Sequence, residues 1–212
     1  MRLSFFGSDF ELWKLHTVQD YLYFFAYLVV GITIFVAATH YLNHQRNHEK
    51  AVIKVNRKLK RLAKKPQLLF QNVTLRLPEG EQKFDGVLAD KSGIFLIRTY
   101  GWGLKIYGTP DGETWRREDR DRKEEIPNPL IELKKGASGL QTVLAEQGIS
   151  RIRIMPMVVF ADNYQTPELY LGYGSFSTTY QELKGWYRKQ AGVKEVQYDF
   201  EKVSSILKGL VI

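Results

Sequence analysis

FDGVLADKSGIFLIRTYGWGLKIYG, running from Phe84 to Gly108, decides how this chain folds. Two apolar-rich runs flank the turn Asp90-Lys91-Ser92-Gly93, and a third short run follows Gly101-Trp102-Gly103. This is the pattern of a hairpin with one more strand beside it. Closing the turn pairs Ala89 with Ile94, Val87 with Leu96 and Asp85 with Arg98. Strand side chains alternate in direction, so Leu96, Arg98 and Tyr100 share one face while Phe95, Ile97 and Thr99 share the other.

On either side of the hairpin the chain alternates helix and strand signals. Val52, Val55, Leu59 and Leu62 recur at three- and four-residue spacing and predict an amphipathic helix with lysines and arginines opposite. Leu68 to Leu75 reads as a first strand, and Pro78-Glu79-Gly80-Glu81 as the loop into the hairpin. Thr109 to Glu125 reads as a polar turn, a short strand bearing Trp115, and a mixed-charge run from Arg116 to Glu125 of the kind usually found in a solvated loop. Asn128-Pro129 opens a helix over Leu130 to Gln147, whose Gly136 and Gly139 suggest close packing. Arg151 to Phe160 is a strand, and Thr178 to Ala191 and Asp199 to Leu210 are closing helices. The fold class expected is α/β, a mixed sheet flanked by helices.

With 212 residues and a net charge of +8, there is room for one domain and an extra segment. Tyr21 to Ala38, YLYFFAYLVVGITIFVAA, carries no charge, and about twenty apolar residues are what a membrane-spanning helix needs. Tyr21, Tyr23, Tyr27 and Tyr41 stand where interfacial aromatics belong. The lead before the span is long and slightly acidic, which favours an uncleaved anchor over a signal peptide. Ser8 and Glu11 resemble a capping box, with Phe10, Trp13 and Leu15 as an apolar edge, so a short interfacial helix is expected there. The organisation expected is an interfacial segment over 1–19, a transmembrane helix over 20–42, a basic juxtamembrane helix over 43–65 and an α/β domain over 66–212. No Gly or Pro intervenes between Thr33 and Lys65, so the membrane helix is free to run straight into the basic one.

Charge sets the orientation. Arg2 and Lys14 precede the span against Asp9, Glu11 and Asp20. After it come Arg46, Lys50, Lys54, Arg57, Lys58, Lys60, Arg61, Lys64 and Lys65, opposed only by Glu49. The bias places the C-terminal domain in the cytoplasm and the N-terminus outside. Lys54, Arg57, Lys58, Lys60, Arg61, Lys64 and Lys65 are the candidate binding residues, for anionic lipid head groups first and nucleic acid second.

The hairpin carries a resemblance as well. A strand with an Asp, a glycine-bearing turn, I-F-L-I and a closing K-I-Y-G are similar to the core of the nuclease-related domain (NERD) family, a branch of the PD-(D/E)xK nuclease-like folds. Glu49 with Val52 on a helix, Asn128-Pro129-Leu130, and Pro156 to Phe160 leading into Ala161-Asp162 extend the likeness over Asn47 to Ile212. The resemblance implies a restriction-endonuclease-like fold and, in members with an intact site, Glu, any residue, then Lys on the second hairpin strand. Here that strand reads Arg98, Thr99, Tyr100. Such a site needs carboxylates to hold a divalent cation and a lysine to steady water or phosphate. Asp85 keeps one ligand, Arg98 brings a fixed positive charge instead of the second, and Tyr100 removes the lysine. Glu49, Asp85, Arg98 and Tyr100 are thus the positions of a degenerate site.

His40, His44 and His48 recur at four-residue steps, a spacing that can chelate zinc, but no partner carboxylate or Cys completes a site except Glu49. No metal ligand set is assigned. Without Cys, and with no His after residue 48, Ser-His-Asp and Cys-His chemistry is excluded from the domain. Three functions follow from these residues. The first is a catalytically degenerate, membrane-anchored binding or scaffolding module for nucleic acid or a protein assembly, with no cofactor. The second is an active nuclease with relocated groups, Glu49 and Asp85 holding a divalent metal such as Mg while Lys105 or Lys83 reaches in. The third is a lipid-facing structural membrane protein that uses the fold as a frame.

Overall fold

The computed structural model describes residues 3–5, 8–10, 17–45, 47–119, 122–162, 165–192 and 198–212, with the backbone alone for 3–5, 8–10 and 42–45. The chain divides into two compact units, Met1–Gln45 and Arg46–Ile212. In the first unit, β1 (Leu3–Phe5) and β2 (Ser8–Phe10) pair antiparallel, and α1 (Val18–Gln45) follows. The short interfacial helix expected in this lead is therefore a hairpin where it is described, while Glu11, Trp13 and Leu15 lie outside the described residues. Val18–Tyr41 of α1 is a candidate membrane span, with a mean hydropathy of 2.1 and none of it buried.

The second unit opens with α2 (His48–Leu62). The expected continuous helix is broken at Asn47, whose extended backbone and side-chain oxygen, 2.8 Å from the Glu49 N–H, start a new helix. His40 and His48 thus lie on different helices, and the side chain of His44 is outside the described residues. There follow β3 (Gln67–Leu77), β4 (Gly80–Asp90), β5 (Gly93–Tyr100), β6 (Lys105–Gly108), β7 (Thr114–Glu118), β8 (Lys123–Pro127), α3 (Pro129–Glu146), β9 (Ile154–Phe160), β10 (Glu168–Leu171), β11 (Ser177–Thr179), α4 (Leu183–Ala191) and α5 (Phe200–Leu210).

Five strands form the main sheet in the order β11-β9-β5-β4-β3. The β3, β4 and β5 pairs are antiparallel, whereas β9 joins β5, and β11 joins β9, in parallel. Parallel neighbours need a crossover, and α3 supplies it between β5 and β9. Alternation sends Ile94 and Leu96 into a core with Leu130, Leu133, Val203 and Leu207 of α3 and α5, and Phe95 and Ile97 into a second core with Val55, Leu59, Leu183 and Tyr187 of α2 and α4. The fold is α/β with helices on both faces of a mixed sheet.

The run after Gly103 does not extend the hairpin's own sheet. It is β6, in a second sheet ordered β10-β6-β7-β8. The mixed-charge run expected as loop supplies β7 and β8, because Trp115 and Ile126 face each other and bury, while Arg117 pairs with Glu124 across the strands at 2.8 Å. Thr178 and Thr179, expected to open a helix, belong to β11, and the helix starts at Leu183.

Candidate functional site

The site is built where β3 and β4 change face. Leu68, Phe70 and then Val73, Leu75 and Leu77 all pack in the core under α3 and α5, so alternation skips between 70 and 73. On β4, Phe84 and Val87 likewise pack in that same core. The two reversals sit at one rung: Gln71 pairs with Gly86 and Val73 with Phe84, leaving Asn72, with φ of 47°, beside Asp85. An asparagine tolerates this left-handed backbone better than most side chains. Such irregularities re-aim side chains and interrupt pairing. The ladder between β4 and β5 accordingly ends at Gly86 and Ile97.

Asp85 fills the resulting gap. Only 3% exposed, it accepts the Thr99 N–H at 2.7 Å through Oδ2, and its own carbonyl accepts the Asn56 side-chain amide of α2 at 2.8 Å. Its Oδ1 lies 3.6 Å from His48 Nε2 and 3.9 Å from an Arg98 guanidinium nitrogen. Asp85 and Arg98, expected to pair directly by a charge-assisted hydrogen bond, lie one rung beyond the last ladder pair and within ion-pair reach, but too far apart for that bond. Arg98, however, makes its 2.7 Å hydrogen bond to Glu132 of α3.

Glu132 reaches this place because α3 is capped firmly. Asn128 accepts the Leu130 N–H at 2.9 Å and donates to the Gly112 carbonyl at 2.6 Å and the Pro110 carbonyl at 3.2 Å, with Pro129 pre-set at the first helical turn. That turn carries Glu132 to the end of β5.

A pocket of about 440 Å³ opens there, lined by His48, Arg98, Tyr100, Trp102, Arg117 and Glu132 among others. Tyr100 stacks on Phe160 with ring centroids 5.4 Å apart, and burial pushes its hydroxyl up to about 12 against the pull of Arg98 and Arg117. It stays protonated and uncharged near neutrality. Arg117 lies 3.8 Å from the centre of the Trp102 ring and pairs with Glu124 at 2.8 Å; burial pulls its guanidinium below the usual range, and Glu124 opposes that shift.

Of the positions read from sequence, the structure brings Asp85, Arg98 and Tyr100 to one strand end. Glu49 is exposed in the first turn of α2, and His48 rather than Glu49 lines the pocket. Lys83 and Lys105 are exposed and do not line it either. Glu132, Asn56 and Arg117 were not selected from sequence, and His48 was considered only in a histidine series with His40 and His44. The capped start of α3, with an acid in its first turn, was the one available signal for Glu132. The basic set also divides. Lys54 and Lys58 lie 4.4 and 4.2 Å over the Tyr180 ring, and Lys58 donates to the Tyr180 carbonyl at 2.5 Å. Burial, with help from Lys54 and Lys184, holds Lys58 below its usual range. Arg57, Lys60, Arg61, Lys64 and Lys65 are exposed.

The sequence model of the nuclease-related domain matches residues 46–161, more than half of the chain. The chain belongs to the nuclease-related domain family. The match begins just before α2 and ends just after β9, so this NERD domain takes in the face reversal, Asp85, Arg98 and Glu132. No curated protein and no solved structure matches the chain.

Proposed function

We propose that this chain is a membrane-anchored NERD domain that binds or scaffolds a partner instead of cutting nucleic acid. The observation that carries this reading is the Arg98 guanidinium, held 2.7 Å from Glu132 and 3.9 Å from Asp85. A divalent cation needs several oxygen ligands converging on one point. At this strand end the two carboxylates converge on a guanidinium that cannot deprotonate, and a second positive charge beside it would be repelled. Among the described residues no three Asp, Glu or His side chains group closely enough to hold a metal. The donor set does not fit the cation that an active relative implies, and Tyr100 offers no charge where such a relative has lysine.

The Tyr100 and Trp102 rings, with Arg117 over Trp102, give the pocket a flat wall that suits a partner presenting planar groups, whether a nucleic-acid strand or a segment of an assembled protein. The anchor is Val18–Tyr41, and the basic excess after it supports a cytoplasmic domain. The full chain purified in detergent, with magnesium or manganese added, is expected to leave single- and double-stranded DNA and RNA intact. Cleavage by the intact protein that disappears in Asp85→Ala would overturn the reading. Alkaline extraction of membranes is expected to leave the chain in the pellet, and its release would remove the anchor.

A further inference from the structure

Lys50, Ile53, Arg57 and Lys60 follow one another along α2 at three- and four-residue steps, and Arg61 lies four residues after Arg57, so the five form one stripe. The opposite stripe, Ala51, Val52, Val55, Asn56 and Leu59, is buried in the domain. The outward stripe is neutralised nowhere that the structure describes: among the described residues Arg57, Lys60, Arg61 and the following Lys65 form no ion pair. The arginines of the second sheet differ, since Arg116 pairs with Glu118, and Arg117 and Arg122 with Glu124. Arg57, Lys60 and Arg61 therefore stand together on one helix face without acidic partners among the described residues, with Ile53, 47% exposed, beside them.

We propose that this face of α2 docks on an anionic lipid surface. Two observations select that partner. Only residues 46 and 47 separate α2 from the helix that carries the candidate span, so chain connection keeps the stripe within reach of the head groups. The apolar face of α2 is already committed to the domain core, so the helix cannot sink into the bilayer as a free amphipathic helix does. What remains is charge attraction, which strengthens binding about fivefold for each basic residue near an anionic surface. Lys54 and Lys58 are turned to Tyr180 and take no part. The proposal does not depend on the pocket or on whether the domain cleaves nucleic acid.

The chain has no cysteine, so Ile53→Cys gives a single labelling position. The full chain carrying an environment-sensitive dye there is reconstituted in lipid nanodiscs. In discs with about 30% phosphatidylserine the dye emission shifts to the blue and is shielded from aqueous quencher; in phosphatidylcholine discs it is not. The shift disappears at about 1 M salt, where screening acts within about 3 Å. It also disappears when Arg57→Glu, Lys60→Glu and Arg61→Glu are combined. Equal emission in the two kinds of disc, or a salt-insensitive shift, overturns the proposal. A shift produced in neutral discs by an oligonucleotide, and not by phosphatidylserine, overturns it in favour of nucleic acid. The salt dependence of the chain bearing only Ile53→Cys decides the matter even if the triple variant fails to fold.

Discussion

Asp85→Ala removes a group whose main duty here is to cap the backbone. The Thr99 N–H sits beyond the end of the β4–β5 ladder, in a residue only 1% exposed, and the Asp85 carboxylate is its 2.7 Å acceptor. Leaving a buried N–H without an acceptor costs about 1–3 kcal/mol. Loss of the 3.9 Å contact with Arg98 adds about 0–1 kcal/mol, because it is too long for a direct hydrogen bond and Arg98, 21% exposed, keeps its 2.7 Å pair with Glu132. The total, about 1–4 kcal/mol, corresponds to about 2–16 °C in melting temperature for a domain of this size. Asp85→Asn keeps an oxygen that can accept the Thr99 N–H and is expected to lose under about 1 kcal/mol. Thermal and urea unfolding of the full chain in detergent, followed by tryptophan fluorescence, measures both, since Trp115 is buried in the domain. Combined with Arg98→Ala, the Asp85→Ala loss should be close to additive. Equal destabilisation by Asp85→Asn and Asp85→Ala, with several kcal/mol of coupling to Arg98, would refute the capping argument and make the ion pair the determinant.

Two further outcomes follow from buried contacts. Burial, and then the hydrogen bond to Asp90, raise Tyr187, and burial raises Tyr198; a phenol held protonated in the fold gives stability that is present below its unfolded value of about 10 and is lost as pH rises above it. Chemical denaturation between about pH 9 and 11 should show this loss, with a shallower slope in Tyr187→Phe; an unchanged slope would count against it. A Cβ at Gly86 would overlap Asn56 Oδ1 and press on Ile97, so Gly86→Ala should cost about 1–3 kcal/mol, and adding Asn56→Ala should cost less than the sum of the two changes. Strict additivity would mean that Asn56 is not what Gly86 makes room for.

The hairpin was legible because its turn and alternation fix a register, and Ala89–Ile94 and Val87–Leu96 pair as read. The family likeness was legible for the same reason, since it rests on that hairpin. Less could be read where tertiary packing decides. Arg116 to Glu125 resembles a solvated loop by composition, yet Trp115 and Ile126 bury one side of it and cross-strand pairs hold the other. The helix break at Asn47 carries no Gly or Pro, only a capping asparagine that a continuous helical pattern conceals. In the site, sequence alternation put Asp85 on the same face as Arg98, but the reversal at Asn72 and Asp85 arises from two strands changing face together. Arg98's partner Glu132 lies 34 residues away, where no local pattern links them.

On the proposed reading, the Arg98 guanidinium stands where an active relative would hold a divalent cation. Manganese titrated into the full chain in detergent by calorimetry, beside the Arg98→Glu variant, tests it most directly. The unaltered chain is expected to give no binding heat. Arg98→Glu, which brings a third carboxylate to Asp85 and Glu132 and removes the positive charge, is expected to bind manganese and to lose that binding when Asp85→Ala is added. Stoichiometric binding by the unaltered chain, abolished by Asp85→Ala, would contradict the account and return the site to metal-dependent chemistry.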